Sequence, residues 1–175
     1  MKGALIFFLL ASPALAQDKL ADTVLAPGCG AEDAKFDVKT LKRQHPVTQP
    51  DGEKALVYFI EDDSENGSIF KPTIRAGLDG GWVGATHGNS YFYFSAAPGE
   101  HHLCASWQPV DASEKNRTRA VAHLTAEAGH VYYFRVKSRW NGKYGALNID
   151  FAPLDSDEGK LLMSTFSFCT FHPRK

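Results

Sequence analysis

The sequence predicts a mainly β domain, an antiparallel β-sandwich with one short C-terminal helix. Three observations carry that reading. Strand-length runs of β-branched and aromatic residues recur from Ala55 onward. Turn chemistry separates them at close intervals, at Asp79-Gly80-Gly81, Pro98-Gly99, Ala128-Gly129 and Asn141-Gly142. A single late stretch, from Asp155, carries the start signals of a helix.

From Asp18 to about Lys54 the chain is polar and punctuated by Pro27-Gly28, Pro46, Pro50 and Asp51-Gly52, which reads as an irregular leader. Within it, Phe36 to Leu41 has the texture of a short edge strand. Leu56-Val57-Tyr58-Phe59-Ile60 opens the domain, and the acidic turn Asp62-Asp63-Ser64-Glu65-Asn66-Gly67 follows it. Thr73 to Leu78 is a strand, Asp79-Gly80-Gly81 its hairpin and Trp82 to Ala85 the return.

In Ser90 to Ser95, Tyr91 and Tyr93 share one face while Phe92 and Phe94 share the other. Both faces are large, so the strand is central. Pro98-Gly99 suits the middle of a type II turn, with His101 to Trp107 as the next strand. After the polar loop Asp111 to Thr118, Ala120 to Ala126 pairs with Val131 to Ser138, and Asn141-Gly142 leads to Ala146 through Phe151.

Asp155 or Ser156 caps the helix, Asp157 and Glu158 oppose its positive end, and Leu161 with Leu162 would anchor it. The pattern fits an immunoglobulin-like or prealbumin-like sandwich. Its predicted bounds are 1–16 signal peptide, 17–54 leader, 55–165 sandwich and 166–175 tail.

Ala55-Leu56-Val57-Tyr58-Phe59, Gly77-Leu78-Asp79-Gly80 with Val83-Gly84, and Gly88-Asn89-Ser90-Tyr91-Phe92-Tyr93-Phe94 occur in this order. Pro98-Gly99-Glu100-His101-His102-Leu103, Ala126-Glu127-Ala128-Gly129 with Val131-Tyr132-Tyr133-Phe134, and Asp155-Ser156-Asp157-Glu158-Gly159 follow them. In that order and spacing, Ala55 to Gly159 resembles the bacterial family called domain of unknown function 2846. The resemblance implies a small β-sandwich in exported bacterial proteins, some labelled lipoproteins, and implies no reaction.

Export has its own signals. Lys2 supplies a positive n-region, Ala4 to Ala11 an apolar run, and Ala14-Leu15-Ala16 a cleavage triplet. Gln17, not an acylatable cysteine, follows the cut, which departs from the lipoprotein label and predicts no lipid anchor. No later stretch is long and apolar enough for a transmembrane helix. The expected location is periplasmic or secreted.

An oxidising compartment makes one disulfide and one thiol the simplest use of Cys29, Cys104 and Cys169. Three pairings are open. Cys29 with Cys104 is preferred, because it staples the irregular N-terminus to a core strand. Charge is nearly balanced, with 19 Lys and Arg against 20 Asp and Glu and no basic stripe. That argues against nucleic acid as a partner.

Chemistry-bearing constellations are thin, and neither catalytic residues nor a cofactor is expected. His102 and Cys104 lie on one strand face and are weak metal candidates, but adjacent His101 points away, and two ligands are not a site. Ser90 lacks a nucleophile-elbow glycine pattern, and Cys169 with His172 would sit in the tail. Glu61-Asp62-Asp63 with Glu65, and Asp155-Asp157-Glu158, lack the spacing of a calcium loop and read as a solvated loop and a capped helix start. Trp82 and Trp140, at hairpin ends, are candidate ligand-contact aromatics. The functional expectation is a non-catalytic envelope module binding an envelope protein or cell-wall component. A metal-binding protein or hydrolase built on His102 is the alternative.

Overall fold

Strand pairing is set first by local turns. In the computed structural model, which describes residues 28–66, 71–108, 118–141 and 146–174, ten strands form two sheets. The predicted signal peptide lies outside the described residues. The strands are β1 (Phe36–Leu41), β2 (Ala55–Asp62), β3 (Thr73–Leu78), β4 (Gly81–His87) and β5 (Ser90–Ala96). They continue with β6 (Gly99–Trp107), β7 (Arg119–Ala126), β8 (Val131–Asn141), β9 (Ala146–Leu154) and β10 (Ser167–Pro173), with helix α1 (Ser156–Thr165) before the last.

Asp79 and Gly80 take positive φ, 48° and 85°, as the tight β3–β4 hairpin requires. The four-stranded sheet runs β4-β3-β6-β7 and is antiparallel throughout. The six-stranded sheet runs β1-β10-β5-β2-β8-β9. It is mixed, with parallel pairing of β10 to β5 and of β2 to β8.

Alternation along β5 sorts its side chains as the sequence predicts. Phe92 and Phe94 enter the core between the sheets with Phe59, Ile74, Leu103, Trp107 and Phe134. Tyr91 and Tyr93 lie on the outer face with Leu56, Tyr58, Ile60 and Tyr133, beneath α1. Being flanked by β10 and β2, β5 is interior.

Two segments read as appendages are built into the sheets. The expected edge strand β1 pairs along its length with β10, from Phe36 opposite Pro173 to Leu41 opposite Phe168. Residues 167–173, read from sequence as part of a tail, thus lie between β1 and β5. Cys169 is consequently buried, and that burial pushes its thiol up to about 12.

The cap of α1 is Asp155, whose carboxylate accepts from the Asp157 and Glu158 amides at 2.9 Å each. The anchoring face differs from the expected Leu161-Leu162 pair. Leu161 is 65% exposed, while Gly159, Leu162 and Met163 turn toward the sheet. Gly159 sets this rotation, since a Cβ there would come within 2.4 Å of the Tyr133 ring.

One end of the inter-sheet core is polar: Glu61, Thr86, Ser90 and Ser138 are all buried. Burial raises the Glu61 carboxyl well above 4.5, with the charge of Asp63 adding to the effect; burial also raises Asp63. Lys71 and His87 face the pair and oppose these shifts.

Between the ordinary carboxylate value and the raised one, the folded chain therefore binds more protons than the unfolded chain. Stability is expected to fall as pH rises through that window, with a slope approaching about 1.4 kcal/mol per pH unit for one such group. Glu61→Gln should flatten the slope, as urea unfolding at successive pH values would show.

Candidate ligand pocket and the placement of the expected site residues

The outer face of the six-stranded sheet carries a concavity of about 450 Å³. That size falls within the range of small-molecule sites. Tyr58 from β2, Tyr91 from β5 and Tyr133 from β8 form its floor, because positions of one parity on three neighbouring strands share a face. The Tyr58 and Tyr133 rings stack with centroids 5.2 Å apart and an interplanar angle of 8°. Tyr58 and Tyr91 are tilted at 6.3 Å.

One wall is the segment before β2, through His45, Val47, Thr48 and Gln49. The other is α1, through Lys160, Met163 and Ser164. The two walls are tied together by the His45 ring, whose Nδ1 donates to the Met163 carbonyl at 2.8 Å. Val131 completes the rim.

Most of the lining is apolar, and its polarity is ordered. Lys160 and His45 are the basic groups, and no lining residue is acidic. The Tyr58 hydroxyl donates to the Thr48 carbonyl at 3.4 Å. The Tyr91 hydroxyl is buried and has no hydrogen-bond partner among the described residues. Burial pushes its pKa up to about 12 and also raises Tyr58 and Tyr133, so all three phenols stay protonated at neutral pH.

His102, Cys104 and Trp82 lie on the opposite, four-stranded sheet. Cys29 and Cys104 form a disulfide with Cα atoms 5.2 Å apart. Cys104 therefore has no thiolate to offer a metal, and His102 stands instead beside His123 on β7, ring centroids 5.6 Å apart. His123 in turn pairs with Glu100 at 2.6 Å. His101, on the other face as expected, pairs with Asp79 at 2.6 Å. No group of three or more His, Cys, Asp or Glu residues is placed to hold a metal ion among the described residues.

Trp82 is half-buried beneath the strap that the disulfide pins down. Its indole N–H donates to the Ala31 carbonyl at 2.7 Å, and the Arg75 guanidinium lies 4.4 Å from its ring centroid. Arg75 also donates to the carbonyls of Glu32 and Ala34, at 2.9 and 2.7 Å. The side chain of Trp140 falls outside the described residues. The acidic turn read as solvated is exposed at Glu65, but Glu61, Asp62 and Asp63 are all buried.

Sequence reading missed the pocket. Its one visible signal was the tyrosine face of β5, because the remaining floor and walls come from distant stretches of chain. No helix among the described residues is long and apolar enough to cross a membrane. Compared with protein-family models, curated proteins and solved structures, the chain finds no match in any of the three.

Proposed function

We propose that this chain is an exported, non-catalytic binding module of the bacterial envelope, and that the tyrosine-floored pocket is where it binds. Support for export comes from the N-terminal signal pattern together with the disulfide, which suits an oxidising compartment. The envelope setting rests on the resemblance to the domain of unknown function 2846 family.

The observation that carries the binding reading is the tyrosine-floored concavity of about 450 Å³, a size that suits a small molecule. A flat aromatic floor, Lys160 and His45 in the walls and no acid in the lining suit a small ligand with an aromatic or alkyl body and an anionic head. The rival reading, a metal-binding protein or hydrolase around His102, loses its thiolate to the disulfide.

The probe 8-anilinonaphthalene-1-sulfonate has the required shape and charge. Fluorescence titration is expected to give one saturable site. Ser164→Trp, which fills the pocket, should abolish it, and Lys160→Ala should weaken it about two- to fivefold, the scale of an exposed charge pair.

Tyr91→Phe separates binding from folding. It should stabilise the protein by about 1 kcal/mol, because it removes a buried hydroxyl without a partner, and leave probe binding unchanged. Undiminished probe binding in Ser164→Trp would refute the proposal.

A further inference from the structure

The floor and the two walls of the tyrosine pocket are secured unequally. The floor strands β2, β5 and β8 are each paired on both sides. The helical wall α1 is fixed by Gly159 against the Tyr133 ring, by the Arg135–Glu158 ion pair and by the Phe166 N–H, which donates to the Leu162 carbonyl at 2.8 Å. In the facing wall, among the described residues, no backbone–backbone hydrogen bond involves 45–50.

Side chains hold that segment instead. The His45 Nδ1 donates to the Met163 carbonyl at 2.8 Å, and the Tyr58 hydroxyl reaches the Thr48 carbonyl at a long 3.4 Å. Its ends are anchored, on one side by the Gln44 carbonyl, which accepts from the Phe168 N–H at 3.2 Å, and on the other by the turn in which the Lys54 N–H donates to the Asp51 carbonyl at 3.1 Å. Pro46 and Pro50 fix their own φ, so the stretch between the anchors is stiff. Such a piece swings as a unit about its ends.

Resting on the pocket reading above, we propose that residues 45–50 are a lid on the tyrosine floor, latched by His45 on Met163 and closing over the apolar body of a bound ligand. Two independent observations carry it. Met163 is among the last four residues of α1, whose carbonyls have no partner within the helix, and the last turn of α1 has no basic side chain. The His45 ring supplies the missing donor from across the pocket, and because a carbonyl only accepts, Nδ1 carries the proton. The second observation is Val47, which lines the pocket and is 84% exposed. Left in water at the mouth of an apolar site, this side chain gains burial when the lid settles on a ligand.

Stopped-flow fluorescence with 8-anilinonaphthalene-1-sulfonate reads the association and dissociation rates. The latch is made with and without ligand, so its loss speeds entry and release together. His45→Ala should bind and release the probe about two- to tenfold faster than His45→Asn, whose amide nitrogen stands in for the ring Nδ1 and keeps the latch. Both variants lack the imidazole, so the comparison separates the hydrogen bond from the ring's charge. Val47→Asn should weaken equilibrium binding about three- to tenfold, the scale of burying most of a valine, and leave the unfolding midpoint where it is. Equal rates in His45→Ala and His45→Asn, or undiminished affinity in Val47→Asn, would overturn the lid and leave the pocket standing. Absence of saturable binding to the unsubstituted protein would remove the pocket itself, and the lid with it.

Discussion

Replacing both Cys29 and Cys104 by serine is expected to lower the unfolding free energy by about 4 kcal/mol. The bond closes a loop with a sequence separation of 75, and the entropy that such a loop withholds from the unfolded chain has that size. In the folded state the same bond pins the strap of residues 28–35 over the outer face of the four-stranded sheet. Arg75 and Trp82 reach its carbonyls there.

The closeness of that contact shows at Gly77, where a Cβ would meet the Gly28 carbonyl oxygen at 2.3 Å. Freed of the disulfide, the strap retains its hydrogen bonds and the Arg119–Glu32 ion pair at 2.6 Å, which are individually weak at a water-accessible surface. Urea unfolding should show the loss, and the midpoint on heating should drop by roughly 8–16 °C. The Trp82 emission should shift as its ring becomes hydrated. A loss below about 1 kcal/mol would mean that the unfolded chain is already constrained near this pairing.

Phe92→Ala should cost about 3–5 kcal/mol, the range for removing a fully enclosed ring. Phe92 is 1% exposed and packs against Phe59, Phe94 and Phe171, with centroids 5.7, 6.1 and 5.0 Å away. The facing sheet approaches through Gly84, where a Cβ would sit 2.5 Å from the Phe92 ring. Gly84→Val is therefore destabilising by overpacking, and less so in the Phe92→Ala background, because the new methyls occupy the emptied space. A double-mutant cycle by chemical denaturation measures that coupling. Additivity of the two changes would show that β4 and β5 do not press on each other here.

Where structure follows from neighbouring residues, it was legible in the sequence. The Asp79-Gly80 hairpin needs only its own left-handed residues, the α1 cap only Asp155, and the two faces of β5 only the alternation from Tyr91 to Phe94. Legibility failed where a partner lies far along the chain. β10 joins β1, whose register begins with Phe36 opposite Pro173, and no turn motif can announce such a pairing.

The same limit hid the pocket, whose floor draws one tyrosine from each of three strands. It also hid the true face of α1, which depends on Gly159 meeting Tyr133. The acidic turn was misread for a different reason. A run of Glu61, Asp62 and Asp63 has the composition of a solvated loop, and only the closure of the two sheets over it reveals burial.

A ligand-bound pocket on the tyrosine face is the central claim, and nuclear Overhauser contacts between 8-anilinonaphthalene-1-sulfonate and assigned side-chain protons test it most directly. The account predicts contacts to the Tyr58, Tyr91 and Tyr133 rings and to the Val131 methyls. Contacts confined to the histidine-bearing outer face of β6 and β7, or none at saturating probe, would contradict it.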